Sequence, residues 1–197
     1  AQTIQETNAG LAATNVTEVK EFILFHYNQW QKQGYTHTEL NNKEQFSRQQ
    51  QAQQFEQLRY ATDVYSQSNK RPVAWMLTYG NLAMLKARAN FASNFFACAG
   101  FEVVDNAGFK TVEDGIAAAK EVKPEIVVIC SSDEEYGEGN ALKIYEALKD
   151  QAIVVLAGNP EGTADVLKAA GMEYFIHVKS NVLETLQDFQ KKLGITK

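Results

Sequence analysis

The run Ser131–Ser132–Asp133–Glu134–Glu135 puts two hydroxyls and three carboxylates into five residues, the densest polar chemistry in this part of the chain. Such a set can hold a ligand or a cation. It can equally cap a helix, with Ser and Asp accepting from free N–H groups and the acids favouring the positive end of the helix. Three adjacent acids repel a phosphate, so a nucleotide is not expected there. The glycines agree. No GxxxxGK(S/T) loop occurs, and the GxG at Gly137–Glu138–Gly139 stands alone in acidic surroundings. The histidines, His26, His37 and His177, share no metal-ligand spacing, and neither Cys98 nor Cys130 has a partner at zinc spacing. His177 follows Phe175–Ile176 and reads as the end of a strand rather than as a ligand or base; His26 sits among apolar helix positions and reads as packing. There is no nucleophile elbow with a matching His and Asp. These residues make no self-contained catalytic constellation, and no metal site.

The elements that position these side chains follow from period and punctuation. With 197 residues, 45% of them hydrophobic, the chain can bury one good core and something smaller. It divides near residue 70. Residues 1–70 are rich in Gln, Asn and Thr and hold no proline, whereas Pro72, Pro124 and Pro160 all lie beyond. The first fifteen residues show no period. A helix is predicted through Val16, Val19, Phe22, Ile23, Tyr27 and Trp30, ending at Gly34, and a second from about Lys43 to Tyr65. The apolar positions of the second are sparse (Phe46, Phe55, Leu58, Tyr60, Val64). A helix this polar lies along a partner surface, links two bodies, or is a solvated linker.

From 71 to 197 the period alternates. Strands are predicted at Val73–Leu77, Phe101–Val104, Ile126–Cys130, Ala152–Leu156 and Tyr174–Val178. Helices are predicted at Leu82–Cys98, Val112–Val122, Gly139–Leu148, Thr163–Ala170 and Val182–Leu193. The strands are continuous apolar runs, as strands covered on both faces must be. Five β–α units with right-handed crossovers give an α/β fold, a flavodoxin-like five-stranded parallel sheet in the order 2-1-3-4-5 with helices on both faces. Gly100, Pro124 and Gly171 each stop a helix just before a strand. Ligands of such sheets sit beyond the carboxyl ends of the strands, near the switch between strands one and three. Four loops meet there: Thr78–Asn81, Ser131–Gly139, Ala157–Gly162, with Thr163 as a helix cap, and Lys179–Asn181. A phospho-receiver needs an acidic pair after strand one and an Asp ending strand three. Here Thr78–Tyr79–Gly80–Asn81 and Ser131 stand instead, leaving Lys179 without the rest.

The net charge of −5 and the lack of a basic run exclude a nucleic-acid surface. Apolar stretches such as Ile126–Cys130 and Ala152–Gly158 are too short to span a membrane, and no signal segment opens the chain. Cys98 and Cys130 read as reduced thiols, with a disulfide as the alternative. The expected location is cytoplasmic.

The stretch YGNLAMLKARANFASNFFACAGFEVVDNAGF (Tyr79–Phe109), with KRPVAWMLTYGN leading into it and Gln54–Arg59 upstream, closely resembles the small (beta) subunit of methylmalonyl-CoA mutase. The resemblance runs from about residue 52 to the C-terminus. It implies a C-terminal fragment whose preceding TIM barrel is missing, and a heterodimer with a large subunit that carries adenosylcobalamin and interconverts succinyl-CoA and methylmalonyl-CoA. In the cobalamin-binding version of this domain a DxHxxG motif follows strand one, and its His coordinates cobalt. Those positions fall on Ala83, Leu85 and Arg88. The family's serine-bearing loop falls on Ser131–Ser132, and its Gly–Gly on Ala157–Gly158. The resemblance thus implies a degenerate cofactor cleft (Ala83, Leu85, Arg88, Ser131, Ser132, Gly158), with Arg88, Asn90 and Phe91 placed to close it. It implies a non-catalytic subunit that binds no cofactor itself, exposes an apolar patch to its partner, and in isolation has the option of a homodimer. Two other readings stay open: a small-molecule or corrinoid sensor lined by Ser131, Ser132 and Gly158, and a receiver-like signalling module.

Overall fold

A computed structural model describes residues 52–197. The helix expected near Val16–Trp30, and the start of the next, lie outside the described residues. Helix α1 runs over 52–65. It is followed by β1 Val73–Thr78, α2 Leu82–Ala97, β2 Glu102–Val104, α3 Val112–Val122, β3 Ile126–Cys130, α4 Ala141–Leu148, β4 Ile153–Ala157, α5 Thr163–Ala169, β5 Tyr174–Ile176 and α6 Val182–Lys192. The five strands form one parallel sheet in the order β2-β1-β3-β4-β5, as the alternating periods require.

Strand alternation sends successive side chains to opposite faces. Ala74 and Met76, Ile126, Val128 and Cys130, and Val155 and Ala157 point to one layer, where α2 adds Phe95 and Phe96 and α6 adds Leu186 and Phe189. Val73, Trp75 and Leu77, Val127 and Ile129, and Val154 and Leu156 point to the other, covered by Val112 and Ala119 of α3, Ile144 and Leu148 of α4 and Leu167 of α5. Helix α1 joins the first layer through Leu58, with Phe55 against it. Gln190 of α6 is buried beside it and donates to the Leu58 carbonyl at 2.7 Å and to Thr62 Oγ1 at 2.9 Å. Residues 52–65 thus pack against the chain's own α/β core, a placement not among the readings named for this polar helix, while Tyr60 and Val64 face outward.

Three local expectations are corrected. The helix expected from Gly139 is preceded by a helical turn, Asp133–Glu135, capped by Ser132 Oγ on the Glu135 N–H at 3.3 Å. A wide turn over Tyr136–Asn140 then kinks at Gly139 (φ 86°), so the regular helix starts at Ala141. Thr163 does not cap α5; Gly162 at φ 75° precedes the helix, and no side chain caps it. Strand β5 ends at Ile176 rather than Val178, because the His177 N–H turns away to Ser180 Oγ at 3.0 Å. The helix stops behave as read at Gly100 (φ 74°) and Gly171 (φ 102°), while α3 ends with Lys123 itself in the left-handed region (φ 51°) before Pro124.

Candidate functional site: a cleft closed by its own arginine

The carboxyl ends of β1, β3 and β4 meet at the point where strand order reverses. Helix α2 starts there because Asn81 Oδ1 accepts from the N–H groups of Ala83 and Met84, at 3.1 and 3.2 Å. That start places Ala83, Leu85 and Arg88 in the first two turns. Ala83 is exposed and is not among the residues that line the groove described below. Leu85 is buried under the loop after β2, where a Cβ on Gly108 would stand 3.4 Å from its Cδ2. This loop is tied down by Asn106, which accepts from the Thr78 hydroxyl, donates to the Met76 carbonyl, and accepts from the Gly108 N–H at 2.9 Å.

Arg88 reaches across the cleft. Its Nη1 donates to the Ala157 carbonyl at 2.5 Å and its Nη2 to Asp133 Oδ1 at 2.7 Å, while Cζ lies 5.8 Å from the centroid of the Tyr136 ring. Gly158 makes room for it: with φ at 145°, a Cβ there would fall 1.9 Å from Nη1. Of the six cleft positions read from the sequence, the structure brings Arg88 and Gly158 into direct contact. Asn90 is exposed, and Phe91 lines the groove beside them.

Ser131 and Ser132 are both buried and both occupied. Ser131 Oγ donates to the Tyr79 carbonyl at 2.7 Å, and Ser132 Oγ is the helix cap described above. The Tyr136 hydroxyl is the hub the sequence reading missed. It accepts from the Ser131 N–H at 2.8 Å and lies 3.1 and 3.0 Å from the carbonyls of Ile129 and Ala157, which share its single proton. One oxygen therefore pins the ends of β3 and β4. The signal was a lone aromatic in an acidic loop, five residues after the serine that follows β3. His177 Nδ1 accepts from the Lys179 N–H at 3.2 Å, so that histidine shapes a turn.

Burial pushes the Cys130 thiol and the Tyr136 phenol above their ordinary ranges, and both stay protonated near neutrality. Burial does the same to Tyr79, helped by the Glu135 charge, and its hydroxyl is buried without a hydrogen-bond partner among the described residues. Both cysteines are free thiols. No group of three or more His, Cys, Asp or Glu among the described residues is placed to hold a metal ion, and no described helix is long and apolar enough to cross a membrane. Next to the plug, a groove of about 480 Å³ remains between α2 and the ends of β4 and β5, lined by Arg88, Phe91, Gly158, Ile176, His177 and Lys179, among others.

No protein-family model matches the chain. A methylmalonyl-CoA mutase small subunit from Porphyromonas gingivalis is 53% identical over 144 residues, 73% of this chain. Over that stretch the chain is homologous to the methylmalonyl-CoA mutase small subunit. Probable small subunits of the same mutase from Mycobacterium bovis and Mycobacterium tuberculosis are 31% identical over 143 residues, 71% of the chain. The chain spans only 22–23% of the length of these mutase subunits. A solved cobalamin-binding protein from Desulfitobacterium hafniense aligns with a TM-score of 0.45 at 22% identity, covering 70% of this chain and 66% of its own.

The mutase relationship makes adenosylcobalamin the group to test against these residues, and they do not fit it. Leu85 is an alkyl side chain with no lone pair for cobalt, and it is buried under a tied loop rather than presented to the cleft. The space over Gly158 is filled by a guanidinium held on three sides.

Proposed function

We propose that this chain is part of the non-catalytic small subunit of an adenosylcobalamin-dependent methylmalonyl-CoA mutase, working in the cytoplasm beside a large subunit. The large subunit holds the cofactor and interconverts succinyl-CoA and methylmalonyl-CoA. The cofactor supplies the difficult chemistry, and this chain supplies bound structure: a partner that binds only the folded large subunit stabilises it by mass action. The seat of Arg88, wedged between Ala157, Asp133 and Tyr136, is the observation that carries this reading. A charged side chain with both ends of its fork engaged is costly to displace, because the ligand must replace charge-assisted hydrogen bonds as well as bring its own.

Equilibrium dialysis against adenosylcobalamin, read by visible absorbance, tests it in two arms. The chain alone should stay colourless, and the chain mixed with the large subunit should sediment as a complex that carries the cofactor. Saturable binding to the chain alone would sink the proposal. It would promote the second reading, a corrinoid or small-molecule sensor, which the groove beside Phe91 and His177 favours.

A further inference from the structure

Flavodoxin-like sheets ordinarily meet anionic ligands at the switch point, where loop N–H groups and helix N-termini face phosphates. Here the groups facing the cleft have the opposite polarity. They are the Asp133 carboxylate, the Ala157 carbonyl and the face of the Tyr136 ring, arranged around a residue without a side chain at Gly158. Each is a partner for a flat cation, and together they match a guanidinium in particular. The carboxylate and the carbonyl accept from separate nitrogens of one fork, and the ring face receives the delocalised charge. The occupant is visible, because the chain supplies it from its own helix α2.

We propose that Asp133, Ala157, Tyr136 and Gly158 form a guanidinium socket, filled in cis by Arg88, that will take a guanidinium from outside once Arg88 is gone. Arg88 is then an intramolecular competitor, and the ligand class admitted by the opened cleft is a planar cation, such as an arginine side chain, rather than a phosphate or a nucleotide. The Arg88 side chain is only 21% exposed against 57% for Asp133, so the socket is shielded on its floor and open at its acidic wall, where such a cation would enter. The inference does not depend on the mutase reading, because it concerns the socket's own chemistry.

The test is chemical rescue of Arg88→Ala in the full chain, with ethylguanidinium as the probe and ethylammonium as the control, both at millimolar concentration. Removing Arg88 should lower the melting temperature. At ten times its Kd ethylguanidinium should raise it again by about 3–6 °C, and the shift should keep growing with the logarithm of its concentration. Ethylammonium, a point charge without the fork, should do markedly less. Adding Asp133→Ala should abolish the difference between the probes. Equal shifts from both probes, no upward shift with ethylguanidinium, or full rescue without Asp133 would each overturn the proposal. Should Arg88→Ala not fold, Arg88→Met keeps the apolar stem along α2 and carries the same comparison. In the unsubstituted chain, where Arg88 occupies the socket, the probes should not differ.

Discussion

Tyr136 shows how much a single atom can carry. Its buried hydroxyl takes the Ser131 N–H and gives to the ends of β3 and β4, so Tyr136→Phe strands a buried donor and loosens two carbonyls. The expected loss is about 1–3 kcal/mol of unfolding free energy, read from urea denaturation. Gly158→Ala should cost more than a left-handed glycine normally does, since its new methyl would meet the Arg88 guanidinium at 1.9 Å. That excess should shrink when Arg88→Ala is made in the same chain. A double-mutant cycle measures the coupling, and strict additivity would contradict the contact. The sequence pointed to Arg88 and Gly158 as cleft positions through the family motif, yet it could not show that they touch. That contact depends on how far α2 turns over β4, which is set by packing and not by spacing. The partners of Arg88 were hidden for a similar reason: Asp133 read as one of three solvated acids, and only the helical turn at Asp133–Glu135 aims it at α2.

At the scale of elements, the five strands and the helices that follow them were legible almost to the residue, because each is a continuous apolar run or a helical period bounded by Gly or Pro. Strand order was legible too, since parallel crossovers leave few arrangements. The region from Ser131 to Asn140 was read only in part: the capping reading holds at Ser132, but the wide turn and the buried tyrosine lie in one short polar stretch with no period. Helix α1 was ambiguous for a different reason: its attachment is polar. Gln190 of α6 holds it through the Leu58 carbonyl and Thr62, and no apolar pattern announces such a contact. Gln190→Ala leaves two buried groups without their donor and removes packing under Leu58. Hydrogen exchange should then speed up in residues 52–65 well before it does in β3, with about 1–3 kcal/mol lost from local opening. Uniform acceleration across the sheet would mean that α1 and the sheet open together.

For the whole molecule, three buried weak acids set the response to alkali. Cys130, Tyr79 and Tyr136 have ordinary values of 9.0, 10.0 and 10.0, and burial raises all three in the fold. The unfolded chain therefore releases these protons while the folded chain keeps them. Their contribution is fully present below those ordinary values and is lost as pH rises toward the folded ones. Stability should fall by up to about 1.4 kcal/mol per pH unit for each group above its ordinary value. Denaturation midpoints measured from pH 8 to pH 11.5 check this. The decline should start near pH 9 and steepen past 10, and it should be shallower in Tyr136→Phe once its lower starting stability is subtracted. The sheet's two borders carry another consequence. Strands β2 and β5 are three residues each, against five or six in the strands between them. An incoming strand finds few rungs to climb at either margin, so the intact fold makes a poor seed for fibrils. Concentrated stocks should therefore keep their thioflavin signal at baseline until conditions melt the domain itself.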